Sequence, residues 1–220
     1  MKNLFLSAIA VILFLSGCTF KAPLPNADQI AKDVFSKQEL QCINTMISYM
    51  DKLVIEETKE KDINKAYHSL LDNIWKNYKN QNCPPALLKD SVKFPFIESF
   101  EKEDIQGIWL VDDYVQMIRT KDTTLYDLHG YKTLNINTQG HYMKYIQRLG
   151  KSDAKYKGLH EVINITGDFS PTSTGWFAER HDEYDFNIYK DRLWVTLYLL
   201  KFGDPMEEKI QRYLSNQKKH

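Results

Sequence analysis

The sequence predicts an α+β protein: an N-terminal helical hairpin followed by an antiparallel, barrel-like β-domain with a C-terminal helix. Three observations carry this. Apolar residues recur every three or four positions between Ile43 and Tyr78. From about Ile105 the pattern changes to alternation, punctuated by Gly, Asn, Asp and Ser. Finally, Gly203-Asp204-Pro205 introduces a closing stripe of Met206, Ile210, Tyr213 and Leu214.

The chain opens on Met1-Lys2-Asn3 and runs apolar from Leu4 to Leu15. A bilayer span needs about 20 apolar residues, so this run has the length of a secretory h-region behind a basic start. It ends Leu15-Ser16-Gly17-Cys18. These four residues resemble the lipobox of bacterial lipoproteins: Leu, a small residue, Gly or Ala, then Cys. The resemblance implies a diacylglycerol on the Cys18 thiol, cleavage between Gly17 and Cys18, and acylation of the new amino group. The plainer reading is an ordinary signal peptide with a chance cysteine. Residues 1–17 are then the signal peptide and 18–26 a lipidated tether containing Pro23 and Pro25. A single chain anchors reversibly, at about 0.8 kcal/mol per buried methylene, whereas two or three hold firmly. In the family, Asp after the cysteine favours the inner membrane. Here the residue is Thr19, so the expected place is the cell outer membrane, on its periplasmic face.

Residues 27–90 form the helical region. A short helix is expected over Ala27 to Ser36. The first long one carries Ile43, Met46, Ile47, Met50, Leu53 and Val54 on one face. The polar run Glu56 to Lys61 is its turn, and Asp62 is a good N-cap for the next helix. That helix carries Ile63, Ala66, Tyr67, Leu70, Leu71, Ile74, Trp75 and Tyr78, and Pro84-Pro85 forbid its continuation. An antiparallel hairpin brings Cys42 toward the end of the second helix, just past which lies Cys83. With Cys18 used by the anchor and an oxidising compartment expected, Cys42 and Cys83 are expected to pair. Closing a loop of that size is worth about 4 kcal/mol in the chain-entropy model.

Residues 91–220 are read as the β-domain with its closing helix. Strands are expected at Ile105–Asp112, Val115–Arg119, Lys132–Asn137, His141–Leu149, Leu159–Gly167, Gly175–Arg180, Glu183–Tyr189 and Leu193–Lys201. Asn137-Thr138-Gln139-Gly140 reads as a hairpin turn and Tyr189-Lys190-Asp191-Arg192 as a tight return. In the last strand Leu193, Val195, Leu197 and Leu199 share one face. Its other face, Trp194, Thr196 and Tyr198, is too apolar for plain solvent, so the helical hairpin is expected to cover it.

The stretch Gly107-Ile108-Trp109 resembles the Gly-x-Trp of the lipocalins, and Asp191 to Leu197 resembles their final hairpin. The resemblance covers under half the chain, and the family's Thr-Asp-Tyr turn motif is missing. It implies a barrel that holds a small apolar or amphipathic ligand, with Trp109 plugging one end. Trp109, Tyr184, Phe186 and Ile188 are the candidate ligand-binding residues. The alternatives are that these side chains simply fill the core, and that Trp109 is only a core aromatic.

Charge is balanced, with 29 basic and 29 acidic residues, which gives no basic footprint for nucleic acid. There is no Gly-x-Ser-x-Gly, no phosphate-binding glycine loop and no His-Glu-x-x-His. No catalytic residue, metal or cofactor is assigned. His160-Glu161 and His181-Asp182-Glu183 could ligate a metal only if the fold gathered them; alone they read as solvated residues. Asp112-Asp113 and Asp182 to Asp185 read as ordinary charged element ends. Two functional readings follow. The first is a lipid-anchored, non-enzymatic envelope protein binding a small apolar ligand. The second is a scaffolding or inhibitor-type envelope lipoprotein acting through protein contacts. An enzyme is the least supported class.

Overall fold

The first three helices start where the sequence supplies caps. The computed structural model describes residues 24–80, 86–120, 122–169 and 171–217. Asp28 opens α1 (Gln29–Val34), its carboxylate accepting from the Ala31 amide at 2.8 Å. Ser36 and Glu39 form a reciprocal capping box at the start of α2 (Lys37–Thr58). Lys59, at φ 61°, ends α2 in the left-handed conformation, and Asp62 caps α3 (Ile63–Lys79) through the Lys65 amide. Two short helices follow, α4 (Asp90–Ile97) and α5 (Lys102–Ile105). Then come β1 (Trp109–Arg119) and β2 (Thr124–Ile136). The remainder is helical: α6 (His141–Leu149), α7 (Ala154–Thr166), α8 (Pro171–Glu179), α9 (Tyr189–Lys201) and α10 (Met206–Gln217). A 3-10 turn at His181–Glu183 separates α8 from α9. No described helix is long and apolar enough to cross a membrane.

The class is α+β, but the barrel-like, lipocalin-like sheet expected between Ile105 and Lys201 is not formed. Among the described residues the only sheet is an open antiparallel ribbon of β1 and β2. The first three expected strands fall in or beside it, with the first two merged into one. The segments expected as strands at His141–Leu149, Leu159–Gly167, Gly175–Arg180 and Leu193–Lys201 are helical, and Glu183–Tyr189 is mostly irregular. Two physical reasons account for the error. In α6 the buried residues are Tyr142, Met143, Tyr145, Ile146 and Leu149, a three-and-four spacing hidden by the aromatic, strand-favouring composition. In α9 every residue from Asp191 to Leu200 is buried. A helix buried all round has no polar face, so its periodicity cannot be told from that of a buried strand.

This buried helix is the hub of the fold. Arg192 reaches Asp51 of α2 at 2.9 Å. Tyr156 of α7 donates its hydroxyl proton to Asp191 at 2.5 Å. Phe177 of α8 meets Trp194 and Tyr198 edge-on, with centroids 5.2 and 4.6 Å apart. Lys201 is ion-paired with Asp168 and donates to the Leu134 carbonyl of β2. The expected second partner for Trp194, Thr196 and Tyr198 is thus supplied by helices on several sides.

The ribbon serves two cores. Its base places Trp109, Leu134 and Ile136 in the main core. Further out, Leu128 and Tyr131, flanked by Val115, Ile118 and Leu125, pack on Ile210, Tyr213 and Leu214 of α10. The change of partner coincides with a register shift between Asp112 and Tyr114 and with left-handed Asp127 (φ 54°) and Gly130 (φ 78°) in β2. A buried ion cluster fixes α10. Asp90 lies 2.7 Å from Lys93 and 2.9 Å from Lys209, while Arg212 pairs with Asp204 at 2.5 Å. Gly203 passes so close to Asp90 and Lys93 that a Cβ there would overlap their charged ends.

Candidate functional site

The four residues expected to line a ligand cavity are divided between core and surface. Trp109 is 1% exposed at the base of β1. Tyr184 packs edge-on against Phe177 at 4.9 Å. Phe186 is wholly buried against Tyr67, with centroids 5.2 Å apart. Ile188 is 41% exposed, just before α9. Three of the four are therefore core side chains and the fourth lies on the surface. With no barrel there is no barrel interior for them to face. Gly107 of the Gly-x-Trp does permit a close approach, but the approaching group is the Glu39 carboxylate from α2.

Cys18 and Cys83 lie outside the described residues. Cys42 is buried on α2, and burial, reinforced by Asp104 and Glu39, pushes its thiol up to about 12. A thiol held protonated at neutral pH is a poor nucleophile and exchanges slowly.

Two histidine arrangements escaped the sequence reading. Glu39, buried behind α2, accepts from the Ser36 amide at 2.7 Å and lies 2.7 Å from His141 Nδ1. His141 is the first residue of α6 and half-exposed. A buried carboxylate thus orients a solvent-facing imidazole, an arrangement able to relay a proton. The second arrangement joins α3 to the 3-10 turn. Asn64, His68 and Asp72 form one stripe along α3, spaced by four. Asn64 accepts from the Phe186 amide at 2.7 Å, His68 Nδ1 lies 2.8 Å from His181 Nδ1, and Asp72 lies 3.2 Å from His181 Nε2. The spacing was visible in the sequence; the partner of the stripe, over a hundred residues away, was not. Among the described residues no group of three or more His, Cys, Asp and Glu is placed to hold a metal ion. His160, by contrast, joins no such arrangement, and of the acidic pair expected at an element end, Asp112 accepts from Asn135 across the ribbon at 3.1 Å.

Burial first, then His181, lowers the pKa of His68 below its ordinary 6.5, against the pull of Asp182, Asp72 and Asp185. The folded chain therefore holds His68 neutral. Above pH 6.5 neither state charges it and the full stability is present. Below that pH the unfolded chain takes up a proton that the folded one refuses, so stability falls as pH falls. Thermal denaturation between pH 7 and 5 should show a steeper decline for the wild type than for His68→Gln. Parallel declines would remove His68 from the account.

Large apolar side chains are exposed on the ribbon: Leu110, Tyr114, Met117 and Tyr126 are 42, 42, 52 and 66% exposed. Met117 and Tyr126 are cross-strand partners, and Tyr114 pairs with His129, their rings 4.9 Å apart. Each strand of the two-stranded sheet has one edge without a strand partner. Among known proteins, no family model, no curated protein and no solved structure matches this chain. The geometry itself is the basis for a functional reading.

Proposed function

We propose that this is a lipid-anchored envelope protein acting through protein–protein contacts, with the exposed apolar part of the β1–β2 ribbon as its docking surface. The observation that carries the reading is the exposure of Leu110, Tyr114, Met117 and Tyr126, four large apolar side chains on one ribbon whose Leu128 and Tyr131 pack on α10. Large apolar side chains exposed together on one element mark interaction sites more often than scattered ones do. The neighbouring open strand edges offer main-chain hydrogen bonds to an extended partner segment. The anchor rests on the lipobox-like residues 15–18. The ligand-binding reading rested on a barrel that the described residues do not form.

The test is site-specific photo-cross-linking in the native envelope. A benzophenone side chain at position 117 or 126 should give one discrete adduct, and Tyr126→Glu combined with Met117→Lys should abolish it without changing the fold. Adducts no more frequent than those from position 161 on α7 would overturn the docking surface. A Cys18→Ser chain that stays membrane-bound would overturn the anchor separately.

A further inference from the structure

We propose that His68 and His181 form an exchangeable binding site for a zinc-like divalent transition-metal ion. The two Nδ1 atoms are 2.8 Å apart, with ring centroids at 5.0 Å. Two nitrogens so close require that one carry a proton and the other a lone pair. His181 Nε2 lies 3.2 Å from the Asp72 carboxylate, which assigns the His181 proton to Nε2 and leaves its Nδ1 as an acceptor. His68 Nδ1 is then the donor. A carboxylate behind one imidazole nitrogen, with the opposite nitrogen presented outward, is the arrangement that orients metal-ligating histidines.

The spacing suits an ion. At Zn–N distances of about 2.0–2.1 Å, a tetrahedral angle sets two nitrogens about 3.3 Å apart. That is about half an ångström wider than the observed contact, within reach of side-chain rotation alone. Binding would replace the shared proton: the His68 proton moves from Nδ1 to Nε2, both Nδ1 lone pairs go to the ion, and no net proton need leave the pair. The surroundings favour a cation. Asp182, Asp72 and Asp185 all act on His68 as negative charges. His181 is 13% exposed at its side chain, so an ion could enter from solvent. Because only two protein ligands converge, water completes the coordination and the ion exchanges. The site therefore differs from a closed structural site with four protein ligands.

The test is titration of the full detergent-solubilised chain with Zn2+ at pH 7.5, followed by 15N-coupled imidazole NMR. Without metal, His68 should appear as the Nδ1–H form and His181 as the Nε2–H form. With one equivalent of Zn2+, the Nδ1 resonances of these two histidines alone should shift to metal-bound values. Calorimetry should show one site, lost in His68→Gln and in His181→Gln and weakened about tenfold in Asp72→Asn. Near-UV circular dichroism would verify that each variant is folded. Unmoved Nδ1 resonances in the wild type would overturn the proposal, as would folded His68→Gln and His181→Gln chains that bind Zn2+ like the wild type.

Discussion

Arg192→Met should cost about 3–5 kcal/mol of stability, the usual loss when one partner of a buried ion pair is removed. The Arg192 side chain is 1% exposed and that of Asp51 5%. Nη1 donates to Asp51 at 2.9 Å, Nε donates to the Phe186 carbonyl, and the guanidinium lies 5.6 Å from the Tyr67 ring centre. Tyr67 donates to the other Asp51 oxygen at 2.8 Å. Burial, the largest influence, already raises the Asp51 carboxyl pKa, and Arg192 opposes it. Without the guanidinium the carboxylate is a buried, uncompensated charge whose easiest relief is a proton. The deficit of the variant should therefore shrink as pH falls, which urea denaturation at several pH values would reveal. Asp51→Leu combined with Arg192→Met should recover most of the loss, since an apolar replacement of both partners is often near neutral. A double variant no better than Arg192→Met alone would show that the guanidinium matters through its other contacts.

Trp109→Ala should cost about 3–5 kcal/mol, as for other large buried aromatics. Trp109 opens β1, is 1% exposed and belongs to the main core, where it stands opposite Ile136 in the ribbon ladder. Its loss leaves a void where the ribbon joins the helices. Chemical denaturation with fixed m-value checks the size. Hydrogen exchange checks the place: protection should drop first in β1 and β2 near Trp109 and Ile136. A loss under about 1 kcal/mol would mean that the site collapses around the void.

The helical first third of the chain was legible because each signal there is local. Asp28, Ser36 and Asp62 cap the helices they precede, and α2 and α3 have one polar face each. Trp109 was also readable as buried, although for a reason that failed. The error began where tertiary burial overrides local pattern. In α9 the residues that look strand-like, Trp194, Val195, Thr196 and Tyr198, are buried because other elements surround them. No window of sequence contains those elements. The segment Thr124–Tyr131 was missed as strand because Asp127 and Gly130 break its alternation at left-handed positions. The site followed the same logic. The α3 stripe Asn64, His68 and Asp72 was in plain view, but its meaning depends on the 180–186 segment. The exposed residues of the ribbon could be recognised only once Leu128 and Tyr131 were seen to pack on α10.

The central position of α9 also sets an order of assembly. It follows α2, α3, α7 and α8 in the chain. Until α9 has been synthesised, those helices can pack on one another, as α2 does on α3 and α3 on α8, but Asp51 has no counter-charge and the faces that meet α9 stay uncovered. Premature termination before Tyr189 thus leaves a set of helices without a centre rather than a smaller version of the same protein.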